Sequence, residues 1–288
     1  MSFSVNVDPC NPGQFFACCG LLELADRLWD GAEGKFSSDL ATFSLWPLRT
    51  ETDSSASRFI GELAKCRLAN TMTTEQVSRL EQLQSMTGKE RAKTPGLDEE
   101  KKALEKLWRE SPLVLHEPFD LRLDWFLDKT AGGSRFKTWA GQQCVIDIAL
   151  AMKRPVESGD WNNLPPTEWL SRATDDEGLP FNFDSDLASQ SSALDMGFSL
   201  DPLKISPRSR PFLELAAFIG LQRFRAFDAG DNRYTFVFWL DSLPPELASV
   251  AACGVLGVPG WRVFDFRLLY RTEYLKSFLP AQPIRGAL

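Results

Sequence analysis

Two stretches of this 288-residue sequence are apolar on nearly every side of a predicted helix, and they constrain the fold more than any other feature. The first covers residues 15–29 and the second covers residues 212–221. A helix that is apolar all round is stable only when other elements surround it, so both stretches predict buried helices. Asn11-Pro12 is a typical helix start, with Asn as the N-cap and Pro in the first turn, and Pro211 opens the second helix.

Both helices run from a proline through apolar residues to a Gly-Leu pair, at Gly20-Leu21 and at Gly220-Leu221. This similarity suggests an internal duplication. The composition of apolar helices also produces similarity of this kind, so both explanations stay open.

Strand patterns flank the two helices and indicate the α+β class. The alternation of apolar and polar residues over 3–8 predicts a strand before the first helix, and a returning strand or hairpin follows it, which gives a β-α-β opening. We therefore predict RRM-like or ferredoxin-like β-α-β cores. Residues 54–110 contain three predicted helices, near 55–69, 73–86 and 97–110, which we interpret as a helical insertion at the surface. Further strands are predicted over 113–125, 233–240 and 261–270.

Charge is distributed unevenly along the chain, whose net charge is −7. Residues 1–154 carry 20 basic and 22 acidic side chains, residues 155–203 carry 1 and 10, and residues 204–288 carry 11 and 7. These shifts predict an N-terminal α+β domain with the insertion, an acidic irregular segment that faces solvent or a basic subunit, and a basic C-terminal α+β portion that packs on the first domain. The net charge argues against a free-standing DNA-binding protein but leaves room for a local nucleic-acid contact inside an assembly.

Most enzyme signatures are missing from the sequence, which has no G-x-S-x-G, P-loop or G-x-G-x-x-G motif. A single histidine, His116, and the lack of a C-x-x-C pair leave little for a zinc site. We therefore expect no catalytic residues, no metal and no cofactor. The longest apolar stretch, residues 15–22, is shorter than the ~20 residues of a membrane-spanning helix. The N-terminus lacks a signal-peptide pattern, so we expect a soluble, cytoplasmic protein without a membrane contact.

A glycine-bearing loop at Gly132-Gly133 is the strongest local sign of a binding site. It leads into a helix predicted over about 136–152, and the exposed amides at such a helix start favour a phosphate. Arg135 and Lys137 add positive charge, while Phe136 or Trp139 could stack on a base. The alternative is a helix cap with Trp139 in the core.

Two further basic stretches are candidate nucleic-acid contacts. Arg208 and Arg210 lie in an extended linker that cannot easily bury its charges, so a phosphate, an acidic partner or solvent would surround them. Arg223 and Arg225 follow the second apolar helix, where they also complement the negative end of the helix dipole.

Carboxylates offer the one catalytic route that the residues leave open. Asp184 and Asp186, with Asp195 nearby in the sequence, could gather a Mg²⁺ ion, because this cation prefers carboxylate oxygens. An acidic, solvated loop with turn-capping aspartates explains the same residues without any chemistry.

Four of these stretches carry a resemblance to a known family: residues 7–26 (VDPCNPGQFFACCGLLELAD), 137–143 (KTWAGQQ), 195–199 (DMGFS) and 214–225 (ELAAFIGLQRFR). They resemble a CRISPR-associated family that is found with the subtype I-U, now I-G, effectors. The resemblance implies a Cascade-like subunit of an RNA-guided interference complex, in which guide RNA pairs with target DNA while proteins hold the backbones. The partners it implies are guide RNA or target DNA, or both, and other CRISPR-associated effector subunits.

We accordingly predict a non-catalytic subunit in which Arg135 and Lys137 hold a phosphate and Trp139 stacks or supports the loop. Arg208 and Arg210 would supply a second contact. Two rival hypotheses stay open. One is a Mg²⁺-dependent nuclease, and the other is a protein-protein scaffold in which the acidic segment docks a basic subunit.

Overall fold

The structure of the chain is a computed structural model that describes residues 3–49, 53–124, 136, 144–175, 180–187, 208–271 and 274–284. These residues form a mixed α+β fold with small antiparallel sheets. The helices are α1 (Pro12–Trp29), α2 (Ala56–Lys65), α3 (Thr74–Ser85), α4 (Gly88–Arg91), α5 (Leu97–Glu110), α6 (Val145–Ser158), α7 (Pro211–Gly220) and α8 (Pro245–Ala252). The strands are β1 (Phe3–Asn6), β2 (Ala32–Phe36), β3 (Thr42–Pro47), β4 (Leu68–Asn70), β5 (Leu113–Leu115), β6 (Leu121–Arg122), β7 (Phe227–Asp228), β8 (Arg233–Phe238), β9 (Arg262–Arg271), β10 (Tyr274–Phe278) and β11 (Gln282–Pro283).

Helix α1 begins as its sequence predicts. The Oδ1 atom of Asn11 accepts a hydrogen bond from the amide of Gly13 at 3.0 Å, which satisfies one of the free amides of the first turn. Pro12 occupies the first helical position, where the amide that proline lacks would have no partner in the helix. The helix is buried along most of its length, in agreement with its composition.

Strands β1, β2 and β3 form an antiparallel sheet in the order β1-β3-β2, and α1 packs against it. The free edge of β2 is joined to the chain that follows β8. Gly34 and Leu243 exchange two backbone hydrogen bonds of 3.0 and 3.1 Å, and the indole N–H of Trp239 donates to the carbonyl oxygen of Gly34 at 2.9 Å. The N-terminal sheet is therefore attached to the C-terminal third of the chain.

Helices α1 and α7 cross with their backbones in contact, and the contact requires glycine on both helices. A Cβ atom on Gly20 would overlap the carbonyl oxygen of Ala216, and a Cβ atom on Gly220 would overlap the carbonyl oxygen of Phe16. Ala216 lies one helical turn before Gly220, and Phe16 lies one helical turn before Gly20. The two helices therefore contact each other in the same way from both sides. This geometry fits the suggested duplication, which stays a hypothesis because small residues at equivalent positions are enough to produce it.

The two central helices run in the same direction. At their N-terminal ends, Asn11 and Arg210 both bind the carboxylate of Asp184. At their C-terminal ends, Arg223 forms an ion pair with Glu23, with 2.7 Å between Nε and Oε2. Polar contacts therefore join the pair at both ends, while glycines and apolar side chains join it in the middle.

The helical insertion is present, but a small sheet anchors it. Helices α2, α3 and α5 occupy the three predicted positions, and α4 lies in the polar loop between α3 and α5. Helix α2 ends at Lys65 rather than near residue 69, because residues 68–70 form β4 and pair with β5. Burial of Leu68 and Asn70 in that sheet outweighs the helical pattern of the sequence. The three-stranded sheet β4-β5-β6 thus ties the insertion to the body of the protein.

The acidic segment 155–203 contributes to the core where the structure describes it. Trp169, Phe181 and Phe183 are each at most 1% exposed, so the prediction that this segment faces solvent is wrong for these residues. The apolar area that such rings bury outweighs the cost of bringing nearby carboxylates inside. The domain boundary predicted between residues 154 and 155 lies inside α6.

One continuous cluster of buried apolar side chains includes residues from all three predicted parts of the chain, among them Phe3, Trp169 and Phe266. The C-terminal sheet, in the order β10-β9-β8-β7 with β11 beside β9, turns its aromatic inner face toward α1. Phe236 lies 4.3 Å from Phe15 between ring centroids.

All six cysteines are free thiols. Within the described ranges, no helix has the length and apolarity needed to cross a membrane.

Replacing Gly20 by alanine should lower the free energy of unfolding by about 2–4 kcal/mol, because the added methyl group forces the two helix backbones apart. Urea unfolding followed by circular dichroism measures the change. The matched control is Gly61→Ala inside α2, where the nearest atom to an added Cβ, Asn162 Oδ1, is 4.0 Å away. That control should be neutral or stabilising by up to about 1 kcal/mol. Equal stability of the two variants would contradict the close crossing.

Candidate nucleic-acid interface

The first predicted contact region lies mostly outside the described residues, and this applies to Arg135, Lys137 and Trp139. Phe136 is described and is 4% exposed. Its ring packs on Tyr234 at 4.9 Å and on Phe278 at 5.5 Å between centroids. The prediction that Phe136 could stack on a base is therefore wrong, because other rings of the core surround it.

Arg208 and Arg210 lie two residues apart but in very different surroundings. Arg208 is exposed and forms an ion pair at 3.0 Å with Asp175, which is also exposed. Arg210 is only 18% exposed, and its Nη1 atom lies 3.2 Å from Asp184 and 2.9 Å from Asp186. The prediction that Arg210 supplies a nucleic-acid contact does not fit this position, because two carboxylates already neutralise its charge.

The carboxylate of Asp184 is the centre of a buried polar cluster at the start of both central helices. Its Oδ1 atom accepts a hydrogen bond of 2.7 Å from the side-chain amide of Asn11. Glu214, in the first turn of α7, accepts hydrogen bonds from the amides of Phe183 at 3.2 Å and Asp184 at 3.0 Å. The carboxylate of Asp184 lies at two parallel helix N-termini, where both helix dipoles favour a negative charge. The cluster therefore holds residues 183–186 against the paired helices.

Burial controls the protonation of the acidic groups in this cluster. It raises the pKa of Glu214 to about 8, and the nearby Asp184 carboxylate adds to the rise while the backbone amides of Phe181, Phe183 and Asp184 oppose it. Burial also raises the pKa of Asp184, against the opposing effect of the Arg210 guanidinium. Near neutral pH, Glu214 is thus protonated in the folded protein, which removes the cost of a second buried negative charge.

The carboxylates that could have bound Mg²⁺ are used inside the protein. Asp184 and Asp186 both contact Arg210, and Asp184, which is 2% exposed, also contacts Asn11, so the Asp184 oxygens face donors rather than an open site. Asp195, the third predicted ligand, lies outside the described residues. Among the described residues, no group of three or more His, Cys, Asp or Glu side chains is placed to hold a metal ion.

Arg223 and Arg225 also differ in their surroundings. Arg223 bridges three helices, since it binds Glu23 of α1 at 2.7 Å and Glu246 of α8 at 3.0 Å. The side chain of Glu23 is 2% exposed, so Arg223 compensates a buried charge. Its role as a nucleic-acid contact stays a prediction. Arg225 is exposed and comes two residues before β7.

A second basic surface, which the sequence analysis missed, lies on the outer face of the C-terminal sheet. We call this surface the outer sheet face and define it by residues Arg233, Thr235, Asp265, Arg267 and Phe227. The register of β8 and β9 places Arg233 directly opposite Arg267, and Thr235 opposite Asp265 and Phe227. Arg233 and Arg267 are exposed, and Phe227 is 58% exposed.

An apolar groove continues from this face beneath the loop that follows α8. The groove has a volume of about 440 Å³. Val255 in the loop is 72% exposed, so the loop itself presents apolar surface to solvent. The groove is lined by Phe227, Thr235, Val237, Val258, Trp261 and Val263, among others.

The alternation of outward and inward residues along β8 and β9 could have pointed to this surface. In both strands an arginine shares one strand face with Thr235 or Asp265, while the intervening positions carry aromatic residues. The sequence does not reveal the register, which alone brings the two arginines together.

Comparisons of this chain with models of protein families, with curated proteins and with solved structures find no match.

Replacing Arg210 by alanine should lower the free energy of unfolding by about 2–4 kcal/mol, because it leaves the buried Asp184 carboxylate without its cation. Arg208→Ala is the neighbouring control and should stay within about 0.5 kcal/mol of wild type, because its ion pair is exposed to solvent. Chemical denaturation of both variants measures the difference. If the two variants were equally stable, the structural role assigned to Arg210 would be wrong.

The free energy of unfolding should also depend on Glu214 as pH changes. Since the folded-state pKa of about 8 lies above the ordinary value of 4.5, the folded protein binds the extra proton between these limits. The contribution of Glu214 to the free energy of unfolding is complete below about pH 4.5 and is lost as pH rises through 8. The free energy of unfolding falls over this range by an amount of the order of a few kcal/mol. Glu214→Gln should flatten this part of the stability profile. The exposed Glu246→Gln should keep the wild-type profile, and a Glu214→Gln profile that followed the wild type would refute the assignment.

Proposed function

We propose that this chain is a non-catalytic subunit of a type I-G CRISPR RNA-guided interference complex, in which it contacts guide RNA or target DNA and neighbouring subunits. The observation that carries the proposal is the position of the residues that resemble the family. Residues 7–26 contain most of α1, including Gly20, and residues 214–225 contain most of α7, including Gly220. Both glycines of the helix crossing therefore lie in these two stretches. These two of the four stretches therefore lie in residues that organise the core, while the other two, 137–143 and 195–199, lie outside the described residues.

The topology of the N-terminal sheet supports the RRM-like or ferredoxin-like part of the proposal. A ferredoxin-like fold begins β-α-β-β. The order β1-β3-β2, with α1 after β1 and a hairpin from β2 to β3, is the arrangement that such a half would have. The chain departs from a single module of this kind at the outer edge of β2, where Gly34 pairs with Leu243.

Charge supports a contact with nucleic acid through a limited surface. The protein is acidic as a whole, yet residues 204–288 carry 11 basic and 7 acidic side chains. Arg210 and Arg223 of that region are neutralised inside the fold, whereas Arg233 and Arg267 remain on the open outer sheet face. A local basic face on an acidic protein suits a subunit that meets a polyanion inside an assembly, where electrostatic attraction needs only a few contacts.

Co-expression tests this function directly. The full chain, with an affinity tag, is produced together with the proteins encoded beside it and a CRISPR array, and the purified material is analysed for protein and RNA. We expect the chain to elute with guide RNA and with effector subunits. Treatment with ribonuclease before capture separates contacts that RNA mediates from direct protein contacts. The scaffold hypothesis predicts that the subunits stay bound to the chain after this treatment.

The control is the same co-expression without this chain, which shows whether the other subunits assemble with guide RNA in its absence. If they did, and if the tagged chain eluted alone when it was present, the proposed function would be wrong.

A further inference from the structure

We infer that the outer sheet face binds a single strand of RNA or DNA, with Arg233 and Arg267 on its phosphates and Phe227 stacked on a base. The inference rests on the proposed function for the origin of the strand, which would be the guide or the target of the complex. It assigns the contact to residues that the sequence analysis did not select.

Two arginines form the cationic part of the proposed site. Arg233 and Arg267 face each other directly across β8 and β9, where two like charges repel and destabilise the sheet. Both side chains are exposed, and no ion pair of the described residues includes either of them. This contrasts with Arg210 and Arg223, which have carboxylate partners. A polyanion that binds both arginines would remove the repulsion.

Charge on the rest of this face favours the same kind of ligand. Asp265 is the one carboxylate of the defined face, and it lies in the next row, opposite Thr235. Two positive charges of the defined face therefore stand against one negative charge, while the exposed Arg225 and Asp228 at the edge strand carry opposite charges. The positive sign of the defined face favours a polyanion over a basic protein segment.

Phe227 provides an exposed aromatic ring beside the two arginines. It lies on the edge strand β7 in the same row as Thr235, and 58% of its surface is exposed although most phenylalanines of this chain are buried. An exposed aromatic ring on a sheet beside arginines is the combination with which proteins hold single strands, because the ring stacks on a base while the cations follow the backbone.

These features point to a single strand rather than a duplex. Bases can stack on a side chain only when they are unpaired and splayed out, since the faces of bases in a duplex are covered by neighbouring bases. The apolar groove beside Phe227, bounded by Val237 and Val263, extends the surface on which a base could lie. A duplex would reach the two arginines only through its phosphates.

Binding of fluorescein-labelled oligonucleotides to the purified full chain, followed by fluorescence anisotropy, tests this site. The probes are a 20-nucleotide oligo(U), a 20-nucleotide oligo(dT) and a 20-base-pair duplex. We expect at least one single strand to bind more tightly than the duplex, and the comparison of oligo(U) with oligo(dT) identifies the preferred strand. Phe227→Ala should weaken that binding by ~10-fold or more. The double variant Arg233→Ala/Arg267→Ala should weaken it further at low salt and reduce the slope of log K against log salt by about 1.4, because two phosphate contacts are lost.

The controls remove the same groups elsewhere. Leu48→Ala removes another exposed apolar side chain, 54% exposed, and Arg67→Ala/Arg154→Ala removes two exposed arginines away from the C-terminal sheet. Both should bind the probes like wild type. The thermal midpoint of Arg233→Ala/Arg267→Ala should be unchanged or higher, since the repulsion is gone, so weaker binding by this variant would not reflect unfolding.

The outcomes separate this inference from the proposed function. Wild-type chain that binds no single strand, or variants that bind like wild type, would overturn the site even if the chain assembled with CRISPR subunits. Variants that bind the probes normally but lose subunits in the co-expression test would assign the face to a protein contact and would also overturn it. Loss of binding in the variants, with no assembly of the wild type, would support the site and remove the CRISPR assignment.

Discussion

The backbone contact between α1 and α7 is the interaction on which the rest of the structure depends. Gly20 and Gly220 let the two helices approach until each glycine meets a carbonyl group of the other helix. A side chain at either position would separate the helices and open the core that surrounds them. An antiparallel strand pair follows each helix, the hairpin β2-β3 after α1 and the pair β8 and β9, with α8 between them in the chain, after α7. The crossing therefore also sets the distance between the two sheets.

Polar groups at the two ends of the helix pair explain the positions of two predicted contact residues, Arg210 and Arg223. At the N-terminal end, Asp184 accepts hydrogen bonds from Asn11 and Arg210, and Glu214 holds the amides of the same segment. At the C-terminal end, Arg223 compensates Glu23. A charge inside a protein is tolerated when an opposite charge and hydrogen bonds accompany it, so these arginines stabilise the fold and have little left to offer a ligand. Arg233 and Arg267, for which the described residues provide no ion-pair partner, lie on the outer sheet face instead.

The proposed function depends on two groups of arginines with different roles: Arg210 and Arg223 pair with carboxylates within the fold, and Arg233 and Arg267 lie on the outer sheet face. The partly buried Arg210 and Arg223 join the ends of the helix pair. The pair supports the C-terminal sheet through aromatic contacts such as that between Phe15 and Phe236. The sheet in turn presents Arg233, Arg267 and Phe227 on a rigid strand framework, which holds a binding surface more firmly than a loop does. An acidic protein can in this way keep a small basic face for a polyanion.

Local patterns in the sequence determined the two buried helices, the cap at Asn11 and the three insertion helices, because periodicity and capping act over only a few residues. Tertiary structure alone decided which charges meet. Arg210 finds Asp184 across 26 residues and Arg223 finds Glu23 across 200, and no pattern within either segment encodes those pairings. The same holds for β4, which forms where a helix was predicted, and for Arg233 and Arg267, which face each other only through strand register. Contacts between distant segments depend on how the whole chain packs, and packing outweighs local preference wherever the two disagree.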